Sequence, residues 1–575
     1  MRVLLVYPNV ETRNGPHYPH GLGSLAGVLA EAGHEPVIRL FEHPPQRQSW
    51  LAELESIQPD LVACSFGSHQ WPFARDLMAW SRQAGWPILA GGVHATFAPR
   101  EVLAEGVCDW VCIGEGEGAI LDLAQGRDPR TIANLIAPDF ANPPRPLIGN
   151  LNRLPLYDRR HFPMEKVGRV NAFEMTALVG RGCPFPCTYC CNAAWQGLYH
   201  GQTWVRLRAC ENLFSELQLL AAKYKVDSFY FEDDIFTLDR SFFENFLREY
   251  PRQFNVPFRA YLRIGMVDRD DLRRLKDAGL TMANVGVEHG DERMRREVLD
   301  RRMTDAQIEQ FFTWCRELNI RTHAFHIVGI PEETPETLRA TVDLCRKTMP
   351  DEVQISLFEP YPGTALFARC VREKLIRGIR RSTYFEAQPA LNLPNFPHAE
   401  LARAYQAFMD QACAIENEAL ELALKTRTKG DFDLVAEWSN DKVAMQGAEP
   451  VARRRVRIGR DERFVLFAHP RSEIHYSIPA GRYRFRAGLA LDPVCLEWGG
   501  GGVRFGVQAG ETLILDRVID PKHNSADLGW QEIDAPFSLS QPARLRLTTQ
   551  PAGNDDLRAL WALWGHPHLV REANR

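Results

Sequence analysis

Residues 181–192 read RGCPFPCTYCCN, a stretch that holds four of the chain's 13 cysteines. The spacing Cys183-x3-Cys187-x2-Cys190 presents three thiolates from one tight loop, and thiolates are the usual ligands of iron–sulfur clusters. Three ligands on a four-iron cluster leave one iron open to a substrate atom. Zinc is the main competitor, since Cys191 could supply a fourth sulfur. Cys190 and Cys191 are adjacent, however, so closing one tetrahedron with both would strain the loop. Zinc sites also usually draw their ligands from two separated knuckles. The remaining cysteines lie singly, and for Cys64, Cys315 and Cys345 apolar surroundings suit a small buried residue.

The cysteines follow directly on an apolar run near 173–180, the first of six candidate strands. The others lie near 227–233, 258–264, 282–288, 321–329 and 352–360, with helical patterns between them. One helix is read as opening on a capping box, Ser241-Phe-Phe-Glu244. Another opens at Thr304 and sets Ile308, Phe312 and Cys315 on one face. Six βα units over 173–395 predict a partial (β/α)6 barrel, too few strands for a closed eight-fold one. Functional residues then belong at the strand ends.

Residues 1–130 show the same rhythm, with apolar runs at 2–8, 35–41, 61–66, 87–92 and 109–114. They predict a doubly wound parallel sheet with its ligand at the carboxyl ends of the strands. Residues 131–172 are rich in Pro and Asn and read as a linker; 396–429 read as a charged helical connector. From 430 to 575 short alternating stretches such as FVLFAHP and YRFRAGLAL predict an all-β sandwich of unassigned role. The fold class is α/β, with that sandwich appended. Its tryptophans Trp438, Trp498, Trp530, Trp561 and Trp564 fit a sandwich core better than a sugar-stacking surface.

Composition is 45% hydrophobic and 25% charged with a net charge of −5, which gives no basic surplus for nucleic acid or a membrane surface. The opening MRVLLVYPNVETRNG reads as a first strand, too short for a signal peptide or membrane span. The chain is therefore expected in the cytoplasm, where a disulfide framework is out of place.

The cysteine spacing, with Tyr189 before the last Cys, resembles the motif of the radical S-adenosylmethionine superfamily. The resemblance implies that Cys183, Cys187 and Cys190 hold a 4Fe–4S cluster whose open iron binds S-adenosylmethionine. It continues through FEDDIF (231–236), where Asp233 and Asp234 match an acidic strand end, and through Arg263 in AYLRIG, which matches a contact to the cofactor carboxylate. GVEHG (286–290) resembles a strand end whose Glu288 faces the cofactor, although His289 replaces the usual Ser. HIVGIPEET (326–334) and FEPYPGT (358–364) resemble the last two strand ends.

The first domain resembles the cobalamin-binding domain that precedes the barrel in one branch of that superfamily. The matching pieces are PHGLGSLAGVLAEAGH (19–34), SFGSH (65–69), GGVHATFAP (91–99) and CIGEGE (112–117). Gly91 and Gly92 would let a flat ring or nucleotide tail approach the backbone, with Ser65, Ser68, Gln70 and His94 nearby. GxGxxG is absent after the first strand, which argues against a dinucleotide. GPHYPHGLG lacks the Asp of D-x-H-x-x-G before His17 or His20, so no His ligand on cobalt is expected; His69, Gln70 or Trp71 would lie beneath the corrin.

Together the two resemblances imply a cobalamin-dependent radical S-adenosylmethionine methyltransferase acting on an unactivated carbon or a phosphinate phosphorus. The substrate is expected to be a small natural-product or sugar-bearing molecule, and the electron donor a flavodoxin or ferredoxin. The alternative is a cyclase, ring-contracting or oxidising enzyme of the same branch, without methyl transfer.

Overall fold

A computed structural model describes residues 1–10, 18–157, 159, 160, 162, 174–377, 388–425, 432–445, 447, 449–493, 501–553 and 560–572. His17, Trp498 and residues 163–173 of the linker lie outside them.

Strands β1 (Arg2–Tyr7), β2 (Glu35–Leu40), β3 (Leu61–Ser65), β4 (Ile88–Gly91) and β5 (Trp110–Cys112) form a parallel sheet in the order β2-β1-β3-β4-β5. A parallel sheet covered on both faces calls for continuous apolar strands. In β1, Val3 and Leu5 enter the core under helix His20–Glu31, while Leu4 and Val6 pack on the opposite face with Trp50 and Leu77. The sheet is longer than expected. Residues read as linker form an antiparallel hairpin, β6 (Leu135–Ala137) and β7 (Phe140–Ala141), on the β5 edge. Strands this short carry no readable periodicity among prolines and asparagines.

The second sheet is parallel throughout. It runs β15 (Glu352–Leu357), β14 (Arg321–Val328), β13 (Leu280–Glu288), β12 (Phe258–Leu262), β11 (Ser228–Phe231) and β8 (Glu174–Ala177), the partial barrel. In β14 Thr322, Ala324, His326 and Val328 are buried, while the alternate residues are half-buried. Between β8 and β11 a two-residue ladder, β9 (Gly180–Arg181) with β10 (Arg206–Leu207), closes the base of the cysteine loop. The helix at Arg240–Gln253 is capped two residues earlier than read. Asp239 accepts from the Phe242 N–H at 2.7 Å, and Glu244 is ion-paired with Arg240 and Arg274 instead. Helix Asp305–Glu317 opens at Thr304 as expected, and Thr304 forms a capping box with Gln307.

Helix His398–Lys425 lays Leu401, Tyr405, Phe408 and Ile415 into the core beside β14 and β15. Beyond it eleven strands, β16 (Phe432–Asp433), β17 (Val443–Met445), β18 (Ala452–Ile458), β19 (Asp461–Ala468), β20 (Ser472–Ile478), β21 (Gly481–Leu491), β22 (Gly502–Ala509), β23 (Thr512–Ile519), β24 (Gln531–Leu539), β25 (Ala543–Ala552) and β26 (Ala562–Arg571), build two antiparallel sheets. Their orders are β18-β19-β26-β21-β24, with β16 beside β26, and β17-β20-β25-β22-β23. Trp564 is fully buried against Phe485 and Phe505, while Trp438, Trp530 and Trp561 are half-buried. Trp530 lies on a bare patch of sheet, since a Cβ on Gly565 would come 2.5 Å from its ring.

The described residues pack as two compact units, one ending at Glu416 and the other beginning at Asn417. The first sheet and the partial barrel thus share one unit.

Candidate functional site

The cysteine loop is fixed at both ends. The Asp233 carboxylate, just past β11, accepts the N–H groups of Val179 at 2.8 Å and Gly180 at 2.7 Å. Gly182, at φ +95°, allows the tight turn into the loop; a Cβ there would lie 2.7 Å from the Trp204 carbonyl oxygen. At the far end the Thr188 hydroxyl donates to the Val298 carbonyl at 2.6 Å, and Cys190 stands at the N-cap position of helix Cys191–Leu198. Cys183, Cys187 and Cys190 all face one cavity of about 370 Å³. Burial pushes the Cys183 thiol up to about 11, whereas a hydrogen bond from Cys191 brings Cys190 down to about 7.

Cys191 is absent from the cavity wall, and its thiol is held up by the bond to Cys190. Three thiols without a fourth fit a cluster with one open iron. Among the described residues no three His, Cys, Asp or Glu side chains converge closely enough for a single metal ion. A four-iron cube spaces its thiolates more widely than one ion does.

Beside the thiols lies a buried charged group. Glu288 ends β13 at φ +69°, a left-handed conformation costly for a side-chain-bearing residue, at a register shift against β14. Its carboxylate folds back over Gly286, where a Cβ would lie 2.0 Å from Oε1. Burial raises its pKa, against the nearby Arg301 and a hydrogen bond from Tyr189. Arg301 stands 3.9 Å away and donates to the Gly286 carbonyl at 2.5 Å. Arg263 stacks over Phe185 at 3.6 Å; burial and then Arg301 hold its pKa below the ordinary arginine value. Sequence reading missed Arg301, which stands in DRRMT and looks like a surface arginine. His289 is turned away. It is fully buried, with Nδ1 accepting the Asp291 N–H and Nε2 at 3.1 Å from Glu333.

A second cavity, of about 540 Å³, opens at the carboxyl ends of β1, β3 and β4. Ser65, Gln70, Gly91 and Gly92 line it. Gly92 has φ +90°, and a Cβ would come 2.6 Å from the Phe66 nitrogen. Ser68 and His94 are not in the wall; they bond each other at 3.0 Å, and His94 stacks on Trp71. His69 and Gln70 reach the cavity, whereas Trp71 is buried behind it. Gln70 accepts the Gly67 N–H at 2.8 Å, and burial keeps His69 below the usual imidazole pKa. His20 also lines the cavity, its Nε2 at 3.1 Å from Glu232, a carboxyl pushed up to about 8 by burial. A cavity floored by bare glycine backbone and rimmed by aromatic rings fits a large flat ring.

Asp234 belongs to both walls. Asn192 donates to it at 2.9 Å, and burial raises its pKa. Asp233, its neighbour, lines only the second cavity and gives its carboxylate to the loop backbone.

A family model described as "Radical SAM superfamily" matches residues 178–345, and one described as "B12 binding domain" matches residues 8–124. An uncharacterized methyltransferase of Pyrococcus horikoshii is 25% identical over 422 residues, 70% of this chain and 90% of its own. An anaerobic magnesium-protoporphyrin IX monomethyl ester cyclase of Rubrivivax gelatinosus is 27% identical, over 64% of this chain and 69% of its own. The structure of the radical S-adenosylmethionine methyltransferase TsrM of Kitasatospora setae, with cobalamin and a [4Fe-4S] cluster bound, superposes with a TM-score of 0.58. It shares 19% identity and covers 72% of this chain and 88% of its own. The chain joins a B12-binding domain to a radical SAM domain, and its cofactors are cobalamin, a 4Fe–4S cluster and S-adenosylmethionine. Among the described residues no helix is long and apolar enough to cross a membrane.

Proposed function

We propose that this cobalamin-dependent radical SAM enzyme is a methyltransferase acting on an unactivated carbon, or a phosphinate phosphorus, of a small molecule. The observation that carries the reading is Asp234 in both walls: one carboxyl borders both cavities. The cluster and S-adenosylmethionine supply reductive cleavage and hydrogen abstraction, and cobalamin supplies methyl transfer. In this reading Cys183, Cys187 and Cys190 hold the cluster and Arg263 meets the cofactor carboxylate. Glu288, fixed by Gly286, Arg301 and Tyr189, orients the cofactor without having to rearrange. Asp233 holds the loop in register, and Asp234 accepts a hydrogen bond from whatever lies between the two cavities. Ser65, Gln70, Gly91 and Gly92 bed the corrin. The substrate is read as a natural-product or sugar-bearing molecule, the electron donor as a flavodoxin or ferredoxin, and the setting as the cytoplasm.

Similarity to the ester cyclase keeps one second reading, a radical cyclase or oxidase. The test follows the fate of S-adenosylmethionine during turnover with the true substrate. Methyl transfer requires S-adenosylhomocysteine and 5′-deoxyadenosine in near-equal amounts, and label from methyl-labelled S-adenosylmethionine in the product. 5′-Deoxyadenosine alone, with an unlabelled product, would make the enzyme a cyclase or oxidase.

A further inference from the structure

CIGEGE does something its glycines do not announce. Glu115 and Glu117, either side of Gly116 at the start of helix Glu117–Ala124, reach across to the cysteine loop. Glu115 Oε1 accepts from Arg181 Nη1 at 2.8 Å and from Arg206 Nη2 at 2.9 Å. Its Oε2 accepts from Arg206 Nη1 at 3.1 Å and from the Ile148 N–H at 3.2 Å. Glu117 Oε1 accepts from Arg181 Nη2 and from the Ser24 hydroxyl, both at 2.6 Å. All four charged side chains are 18% exposed or less. The Tyr199 hydroxyl and the Asn134 amide secure the Glu115 backbone, and Gly114 leaves room for that hydroxyl.

The two arginines face each other across β9 and β10, the ladder that closes the base of the loop, and Arg181 stands two residues before Cys183. Glu115, Glu117 and Arg181 also line the second cavity. One set of buried charges therefore touches the walls that would hold the corrin and the backbone that would hold the cluster.

We propose that Glu115 and Glu117 are positioning residues that couple occupancy of the second cavity to the hold of the cysteine loop on its cluster. The inference rests on the cofactor assignment of the two cavities. A ligand that displaces water from the clamp strengthens its ion pairs, because their charges then act through a lower dielectric. Removing one partner instead leaves a buried charge uncompensated, so the loop loosens. Coupling of this kind is reciprocal in equilibrium affinity: whatever cobalamin does for cluster affinity, the cluster does for cobalamin affinity.

The experiment uses the full-length protein, reconstituted anaerobically with iron and sulfide, with and without hydroxocobalamin. Release of cluster iron to a chelator is timed in each state. Cobalamin should slow release about ten-fold in the unaltered protein, and under about two-fold in Glu115→Gln and Glu117→Gln. Both variants should still bind hydroxocobalamin. The ratio is the informative readout, since a purely structural role would speed release equally in both states. Arg181→Lys keeps the charge but loses the fork that bridges both carboxylates, and should give an intermediate ratio. It carries the test should the glutamine variants fail to fold. Glu249→Gln, in neither cavity wall, should match the unaltered protein. No protection by cobalamin in the unaltered protein, or undiminished protection in the variants, overturns the coupling. Failure of the unaltered protein to take up iron or cobalamin overturns the cofactor assignment instead.

Discussion

At the scale of single residues, the cluster assignment turns on which sulfurs share a wall. Cys183, Cys187 and Cys190 do, and Cys191 does not. Cys183→Ala, Cys187→Ala and Cys190→Ala should each abolish the cluster, while Cys191→Ala keeps it; iron and sulfide analysis of reconstituted protein decides. Cluster loss on changing Cys191 alone would reverse the assignment. The ligand spacing was legible because all three cysteines lie within one turn-forming stretch. Arg301 was not, since nothing in DRRMT distinguishes a surface arginine from one folded under β13. Its removal should be costly, because Glu288 would stay buried without its nearest cation. Arg301→Gln should lower unfolding stability by roughly 3 kcal/mol, measured by denaturant titration. A loss under about 1 kcal/mol would mean that Glu288 does not depend on it.

At the scale of elements, what the sequence revealed and what it hid follow one physical rule. Strands long enough to alternate or to run continuously apolar were readable, as β1 and β14 are. The hairpin β6–β7 was hidden because two- and three-residue strands have no period. The cap at Asp239 was mistaken because Ser241 and Glu244 satisfy the capping pattern, while Glu244 is spent on arginines. The strand-end run Glu232-Asp233-Asp234 was legible as acidic, though its division of labour was not. Burial raises Glu232 to about 8 and Asp233 to about 7. The folded chain therefore keeps protons that the unfolded chain releases near the ordinary carboxylate values. Between those values and about pH 8 the unfolded state binds fewer protons, so stability falls as pH rises. Thermal midpoints of the cofactor-free protein should decline from pH 5 to about pH 8, and Glu232→Gln should flatten the decline. A midpoint that rises over the same window would contradict the burial of this run. At the end of β13, Gly286→Ala should push the Glu288 carboxylate off its seat. S-adenosylmethionine affinity should fall about ten-fold, or 1.4 kcal/mol, with the cluster intact. Unchanged affinity by equilibrium binding would remove Glu288 from the cofactor site.

For the whole molecule, the sequence rhythm separates a first domain from a barrel, yet the two pack as one compact unit. The reason lies beyond any local pattern: Glu115 meets Arg181 and Arg206 at separations of 66 and 91 residues. The β-sandwich belongs to the other unit, and none of its described residues lines either cavity. Every candidate ligand to the cluster, S-adenosylmethionine and cobalamin precedes residue 365. If the cavities are the cofactor sites, a chain ended near Thr428, a position outside the described residues, should retain full loading. Iron, sulfide and cobalamin per chain should match the full-length protein, and cobalamin should bind with the same absorbance spectrum. Solubility is a separate readout, because the cut falls inside the second unit and bares Leu424, which is buried in the sandwich core. A soluble, folded truncation that loses iron would place a cluster determinant in the sandwich. One that loses cobalamin alone would do the same for the corrin. Retention of both, with loss of turnover on the true substrate, would instead assign the sandwich to substrate capture.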